Sequence, residues 1–177
     1  VEILKGKTSG DLWTVCRELS CRMLMLAGIG DKDECGRLVD EAVESGEALK
    51  RFEMMVKLQG GDVSYIEDTS KFRKASFSRE VYAPADGYIT HMDSEKIGLI
   101  TVLLGAGREK KDDDINHAAG IIIAAKTGDF VKRGELLATL LADDESRLDG
   151  AESRYLSAVS IGDKKPAEQP MILDYID

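Results

Sequence analysis

Apolar residues in this sequence never gather into the run of roughly 18 to 20 that a helix needs to span a bilayer. No basic then apolar signal segment opens the chain either, so no membrane contact and a cytoplasmic location are expected. Basic residues are in short supply: 24 Lys and Arg stand against 33 Asp and Glu, a formal net charge of −9, with both signs scattered along the chain. Such a field repels phosphodiester backbones and speaks against a nucleic-acid partner. Cysteine is scarce too. Cys16, Cys21 and Cys35 form no CxxC pair, and the two histidines, His91 and His117, lie far from them in sequence, which is poor material for a metal site. Each cysteine falls on or beside the apolar side of a helical pattern and reads as a buried thiol in a reducing compartment.

What the sequence does hold is 43% hydrophobic residues over 177 positions, enough for one sizeable core or two small ones that lean on each other. It opens on Val1 rather than methionine, and Val1, Ile3 and Leu4 read as the end of a helix whose start is missing, so a truncated chain is expected. After Thr8, with Asp11 three positions on, Leu12, Val15, Cys16, Leu19, Met23 and Leu26 share one helical stripe that Gly28 and Gly30 stop. A second helix begins at Asp31, with Glu34 completing its cap, and carries Cys35, Leu38, Val39, Ala42 and Val43 before Gly46. A third runs from about Glu47 to Gln59 with Leu49, Phe52, Met55 and Val56 inward.

From Asp62 the pattern dissolves into Asp, Ser, Thr and Lys, the composition of a surface linker, with a boundary near Ala75. Beyond it the period changes to two. Short strands are expected at Val81–Ala83, Tyr88–Met92, Ile121–Ala124, near Val131 and over Leu136–Leu141. Ile97 to Leu104 is apolar enough for a buried strand, yet Ile97, Ile100, Thr101 and Leu104 keep helical spacing, with Ser94 as cap and Gly105 as stop, so a helix is favoured. A late helix is expected over Asp144–Val159, in which Gly150 costs about 1 kcal/mol relative to alanine, and a last strand over Met171–Ile176 after Pro170. The fold class is therefore α+β. Residues 1–61 form a three-helix segment, 62–75 a linker, and 76–177 a subdomain of the barrel-sandwich hybrid type.

Few residues offer chemistry. The stretch Gly128-Asp129-Phe130-Val131-Lys132-Arg133-Gly134-Glu135-Leu136-Leu137 looks like the half-motif of biotinyl and lipoyl carriers, two glycines turning the chain around a buried valine. A carrier also needs a lysine at an exposed hairpin tip, and neither Lys96 nor Lys126 stands in that setting. Gly105-Ala106-Gly107-Arg108 can cradle an anion, since glycines bare backbone N–H groups and arginine adds a forked donor. It lacks the GK[ST] ending of a Walker loop and the third glycine of a dinucleotide fingerprint. His91 and His117 have no nucleophile motif beside them, Asp112, Asp113 and Asp114 read as a hydrated loop, and Trp13 stands off the apolar stripe of its helix.

Several segments taken together resemble the thymidine and pyrimidine-nucleoside phosphorylase family, in its carboxy-terminal portion. They are Leu104-Gly105-Ala106-Gly107-Arg108 with Lys111 and Ile115, then Gly120, Lys126-Thr127-Gly128-Asp129, and Val131 with Gly134-Glu135-Leu136-Leu137-Ala138-Thr139-Leu140. Ala83-Pro84 with Gly87-Tyr88, Ile97-Gly98 and Gln59-Gly60-Gly61-Asp62 match as well. Asn116 departs from the aspartate the family commonly carries, and His117 from a frequent proline. The resemblance implies the tail of an α/β enzyme in which inorganic phosphate attacks the anomeric carbon of a pyrimidine nucleoside. It implies no cofactor beyond phosphate as co-substrate, and catalytic groups that lie amino-terminal to this stretch. The parent would be a homodimer whose interface lies mostly outside this chain. The helices would normally cover a sheet, so their apolar faces can pair with a second copy. By analogy, the loop from Gly105 to Asn116, with Gly107, Arg108 and Lys111, would approach the substrate cleft as it closes. A stand-alone carrier and an interaction module sharing the sandwich fold are the alternatives.

Overall fold

The computed structural model describes residues 1–7, 10–108 and 110–175. The chain divides into two compact units, one of Val1–Phe72 with the stretch from Gln169 onward, the other Arg73–Glu168.

Three long helices dominate the first unit: α1 (Asp11–Leu26), α2 (Lys32–Glu44) and α3 (Glu47–Leu58). Thr8, expected to cap α1, lies outside the described residues, and Gly10 occupies the cap position without a side-chain bond. Asp31 caps α2 as its sequence predicts, its carboxylate accepting the Glu34 N–H at 2.9 Å. Between α1 and α2 the Arg17 guanidinium forks onto Asp40, both N–O distances being 2.6 Å. That pairing holds the Asp40 carboxyl below its ordinary range. Beside it Cys21 and Cys35 are buried, each thiol donating to a backbone carbonyl, Lys32 at 3.3 Å and Gly30 at 3.4 Å. Burial pushes the Cys35 thiol upward.

The expected apolar stripe of α1 faces outward instead. Leu12, Leu19, Met23 and Leu26 are 60% to 89% exposed, and Cys16, read as a buried thiol, is exposed with them. The face turned to α2 is the one that carries Arg17 and Cys21, which leaves the stripe uncovered. Met55 of α3 is likewise exposed. Val1, Ile3, Leu4, Leu12, Trp13, Cys16 and Met23, with Leu38 and Val39 of α2, line an apolar groove of about 700 Å³.

The stretch from Asp62 is not structureless: α4 (Ser64–Glu67) buries Ile66, and a 3₁₀ turn follows at Thr69–Lys71. The end of the chain also belongs to this unit. No strand forms over the described part of Met171–Ile176; Tyr175 lies instead with its ring 3.9 Å from the Arg22 guanidinium carbon and 4.9 Å from Lys32 Nζ.

The second unit holds two three-stranded antiparallel sheets. Strands β1 (Phe77–Tyr82) and β3 (Gly120–Ile123) flank β5 (Leu136–Ala142); β4 (Phe130–Val131) and β6 (Val159–Gly162) flank β2 (Gly87–Met92). No closed barrel exists among the described residues, and the class is α+β. Both sheets contribute to one core, with Val81, Leu137 and Leu140 from the first and Ile89 and Val131 from the second. Each such aliphatic side chain, fully buried, contributes roughly 1.5–3 kcal/mol. Ala83 links the glycine half-motif to it, donating to the Glu135 carbonyl at 2.8 Å and accepting the Gly134 N–H at 2.9 Å.

Helix α5 (Ser94–Thr101) closes one side of this core with Ile97 and Ile100. Its cap is Asp93, which accepts the Lys96 N–H at 3.1 Å, rather than Ser94. A wide π turn over Val102–Ala106 then replaces the expected continuous helix. The late helix is also divided. A 3₁₀ turn at Glu145–Leu148 gives way at Gly150, whose φ is 74°, to α6 (Ala151–Ala158). Val159, expected to be helical, begins β6, which pairs with β2 and was not anticipated.

Candidate functional site

The loop that the sequence singles out is shaped from its base. Leu104 is buried, and the chain leaves the π turn at Gly105 with φ 105°, a conformation that favours glycine. The Gly105 carbonyl accepts the Asn116 N–H at 2.8 Å, so the excursion closes where it opened. Gly107 is required for space: a Cβ there would lie 2.7 Å from Val102 Cγ2. Lys110 and Asp113 bridge the tip, the Lys110 N–H donating to the Asp113 carboxylate at 2.8 Å and the Asp113 N–H to the Lys110 carbonyl at 3.1 Å.

The exit is tied twice. Asn116 Oδ1 accepts the Ala118 N–H at 3.0 Å, and its Nδ2 donates to Asp143 Oδ2 at 2.8 Å. Asp143 also accepts the Ser76 N–H at 2.8 Å, the Ser76 hydroxyl at 2.9 Å and a guanidinium N–H of Arg73. These bonds, led by the Ser76 N–H, hold its carboxyl below the ordinary range against the opposing effect of burial.

Between the loop and the turn after β5 lies a cleft of about 780 Å³. Gly105, Gly107, Lys110, Asp113, Asp114 and Asn116 line it from the loop; Asp143, Asp144, Ser146, Arg147, Asp149, Ala151 and Arg154 line it from the other side. Five carboxylates here face three cations. Arg147 is in part engaged, donating to the Leu103 carbonyl at 3.2 Å and standing 3.9 Å from Asp144. A cleft of this charge does not draw in phosphate by itself.

Of the four residues expected to serve the loop, Gly105 and Gly107 line the cleft, whereas Arg108 and Lys111 are exposed and outside its lining. His91 and His117 are exposed and do not line it. Among the described residues no group of three or more His, Cys, Asp or Glu is placed to hold a metal ion. No helix there is long and apolar enough to cross a membrane. The sequence reading missed Asp143. Its donors at Ser76 and Asn116 lie 67 and 27 positions away, a separation that leaves no local pattern.

The loop, the cleft and, but for β1 and the first residue of β2, both sheets fall within residues 88–162, which match the family model described as the pyrimidine nucleoside phosphorylase C-terminal domain. The chain is also 37% identical over 147 residues to the pyrimidine-nucleoside phosphorylase of Bacillus subtilis, covering 82% of this chain and 34% of that protein. To the Staphylococcus aureus enzyme of the same name it is 35% identical over 164 residues, 92% of this chain and 38% of that one. This chain belongs, as a carboxy-terminal portion, to the pyrimidine-nucleoside phosphorylase family. It spans little more than a third of the length of the curated relatives it matches. In this chain the glycines at 105 and 107 set the shape of the loop, and the side chains of the described cleft include no cysteine or histidine.

Proposed function

We propose that this chain is part of an enzyme that cleaves pyrimidine nucleosides with inorganic phosphate, and that it supplies scaffold and cleft closure rather than catalytic groups. The bond from the anomeric carbon to the base breaks, the base leaves with the electron pair and takes up a proton, and a phosphate oxygen bonds to that carbon. A free base and a pentose 1-phosphate result. Such chemistry needs cationic groups for phosphate and a donor for the departing base.

One observation carries the reading: relatives that bear this enzyme name match 82% to 92% of the chain at 35% to 37% identity. The acidic balance of the described cleft supports the second half of it, since a phosphate site would invert that balance. The Gly105–Asn116 loop, with Arg108 and Lys111 exposed on it, is the element we assign to closure. The complete enzyme acts in the cytoplasm as a homodimer, with phosphate as co-substrate and no further cofactor. A carrier role is not favoured, because Lys96 sits in the first turn of α5 with its ammonium 3.0 Å from Asp93, not at a hairpin tip.

Phosphate-dependent release of thymine and uracil, measured in parallel on this chain and on a longer protein containing it, tests the reading. Release by the longer protein alone is expected. Activity in the 177-residue chain would overturn the assignment of catalytic groups elsewhere, and activity in neither would remove the enzyme. In the active protein, Arg108→Ala with Lys111→Ala should raise KM or lower kcat for phosphorolysis. Unchanged kinetics would reduce the loop to scaffold.

A further inference from the structure

Asp143 follows directly on β5 and stands where three stretches of the second unit meet. A carboxylate is acceptor-only, with about four lone-pair positions, and this one receives four donors: the Ser76 N–H, the Ser76 hydroxyl, the Asn116 amide and the Arg73 guanidinium. Arg73 is the first residue of the unit, at the point where the chain arrives from the helical one. Asn116 is the exit of the Gly105–Asn116 loop and, through its own N–H on the Gly105 carbonyl at 2.8 Å, also fixes the entrance. A continuous path of short hydrogen bonds thus runs from the crossover segment, through one carboxylate, to both ends of the loop. The Asp143 side chain is 21% exposed and that of Arg73 71%, so the Asn116 arm of the node is the more shielded and the Arg73 arm stands open to solvent.

We propose that Asp143 is a positioning residue that couples the crossover at Arg73 and Ser76 to the Gly105–Asn116 loop, so that a displacement of the crossover resets the loop. This rests on the reading of that loop as the closing element and adds what sets its position. An acceptor saturated by donors from both segments cannot keep all four bonds if one segment shifts by about the 0.5 Å that separates a good hydrogen bond from a poor one. Coupling of this kind is reciprocal: what loosens the crossover loosens the loop, and the reverse.

Residue-resolved hydrogen exchange on this chain tests it without any activity measurement. In Arg73→Ala with Ser76→Ala, the Asn116 and Ala118 amides should exchange about tenfold faster, the scale of losing one charge-assisted hydrogen bond from a local opening. Amides of β2 and β6 should keep their rates. Unchanged exchange at Asn116 and Ala118 overturns the proposal. Should that pair of substitutions impair folding, Asn116→Asp asks the reverse question by setting a second carboxylate against Asp143. The Ser76 amide should then exchange about tenfold faster, and no change there overturns the coupling equally. In the complete enzyme the Arg73 and Ser76 substitutions should raise KM with kcat held within about twofold. Exchange that shifts while kinetics do not would sink the closing role of the loop and leave the coupling standing.

Discussion

Tyr155 is the largest side chain among those the chain buries completely, and its hydroxyl finds no hydrogen-bond partner among the described residues. A buried, unpaired hydroxyl carries its desolvation penalty without return, and the same burial pushes the phenol upward. Tyr155→Phe should therefore leave stability unchanged or raise it by up to about 1 kcal/mol, read from urea unfolding; a loss well beyond that would mean the hydroxyl is satisfied. Asp143 carries the opposite prediction. Its carboxyl is depressed in the folded chain, so its contribution is complete above the ordinary carboxylate value of about 3.9 and fades as pH falls through the lower folded value. Asp143→Asn should cost most at neutral pH, and the gap between variant and parent unfolding midpoints should narrow as the solution is taken below about pH 4.

At the scale of elements, the last third of the second unit shows how one glycine redirects a helical pattern. Leu148, Ala151, Tyr155 and Ala158 are all buried, which is why their spacing reads as one helix. Gly150 breaks it at φ 74°, acting as the cap of α6 rather than as a weak interior residue. Nothing lies within 4 Å of a Cβ added there, so only backbone strain opposes a side chain. Gly150→Ala should lower stability by roughly 1–2 kcal/mol, the left-handed penalty for an L-residue. A neutral result would show that the turn relaxes. At its other end α6 stops at Ala158, and the chain continues as β6 alongside β2, pairing Met92 with Val159.

Across the whole molecule the two units differ in what they bury. Among the described residues the buried apolar side chains of the helical unit are Cys21, Cys35 and Ile66, whereas the second unit has a continuous core drawn from both sheets, α5 and α6. Burial of apolar area is the main favourable term in folding. Hydrogen exchange should accordingly find the amides of α1–α3 opening at lower free energy than those of β1, β2 and β5, and equal protection in the two halves would contradict this. The outward stripe of α1 belongs to the same contrast, since Leu12, Met23 and Leu26 remain exposed in a unit whose own core is small.

Local grammar was written plainly in the sequence. The Asp31 cap, the alternation through β2, the valine buried between two glycines and the run Leu136–Leu141 all follow from interactions a few residues long, and the segments that resemble phosphorylases are of this kind. The site was half legible: glycines at 105 and 107 announced a shaped loop, because the left-handed backbone at Gly105 strains any side chain and a 2.7 Å approach at Gly107 leaves no room for one. What holds the loop was not. Asp143 acquires its donors only when β5 pairs with β1 on one side, bringing Arg73 and Ser76, and with β3 on the other, bringing Asn116. Which face of α1 turns inward was decided in the same way, by the Arg17–Asp40 pair and the α2 helix rather than by the stripe itself. Periodicity specifies that a face is apolar; only the neighbours that the tertiary fold supplies determine whether that face is covered.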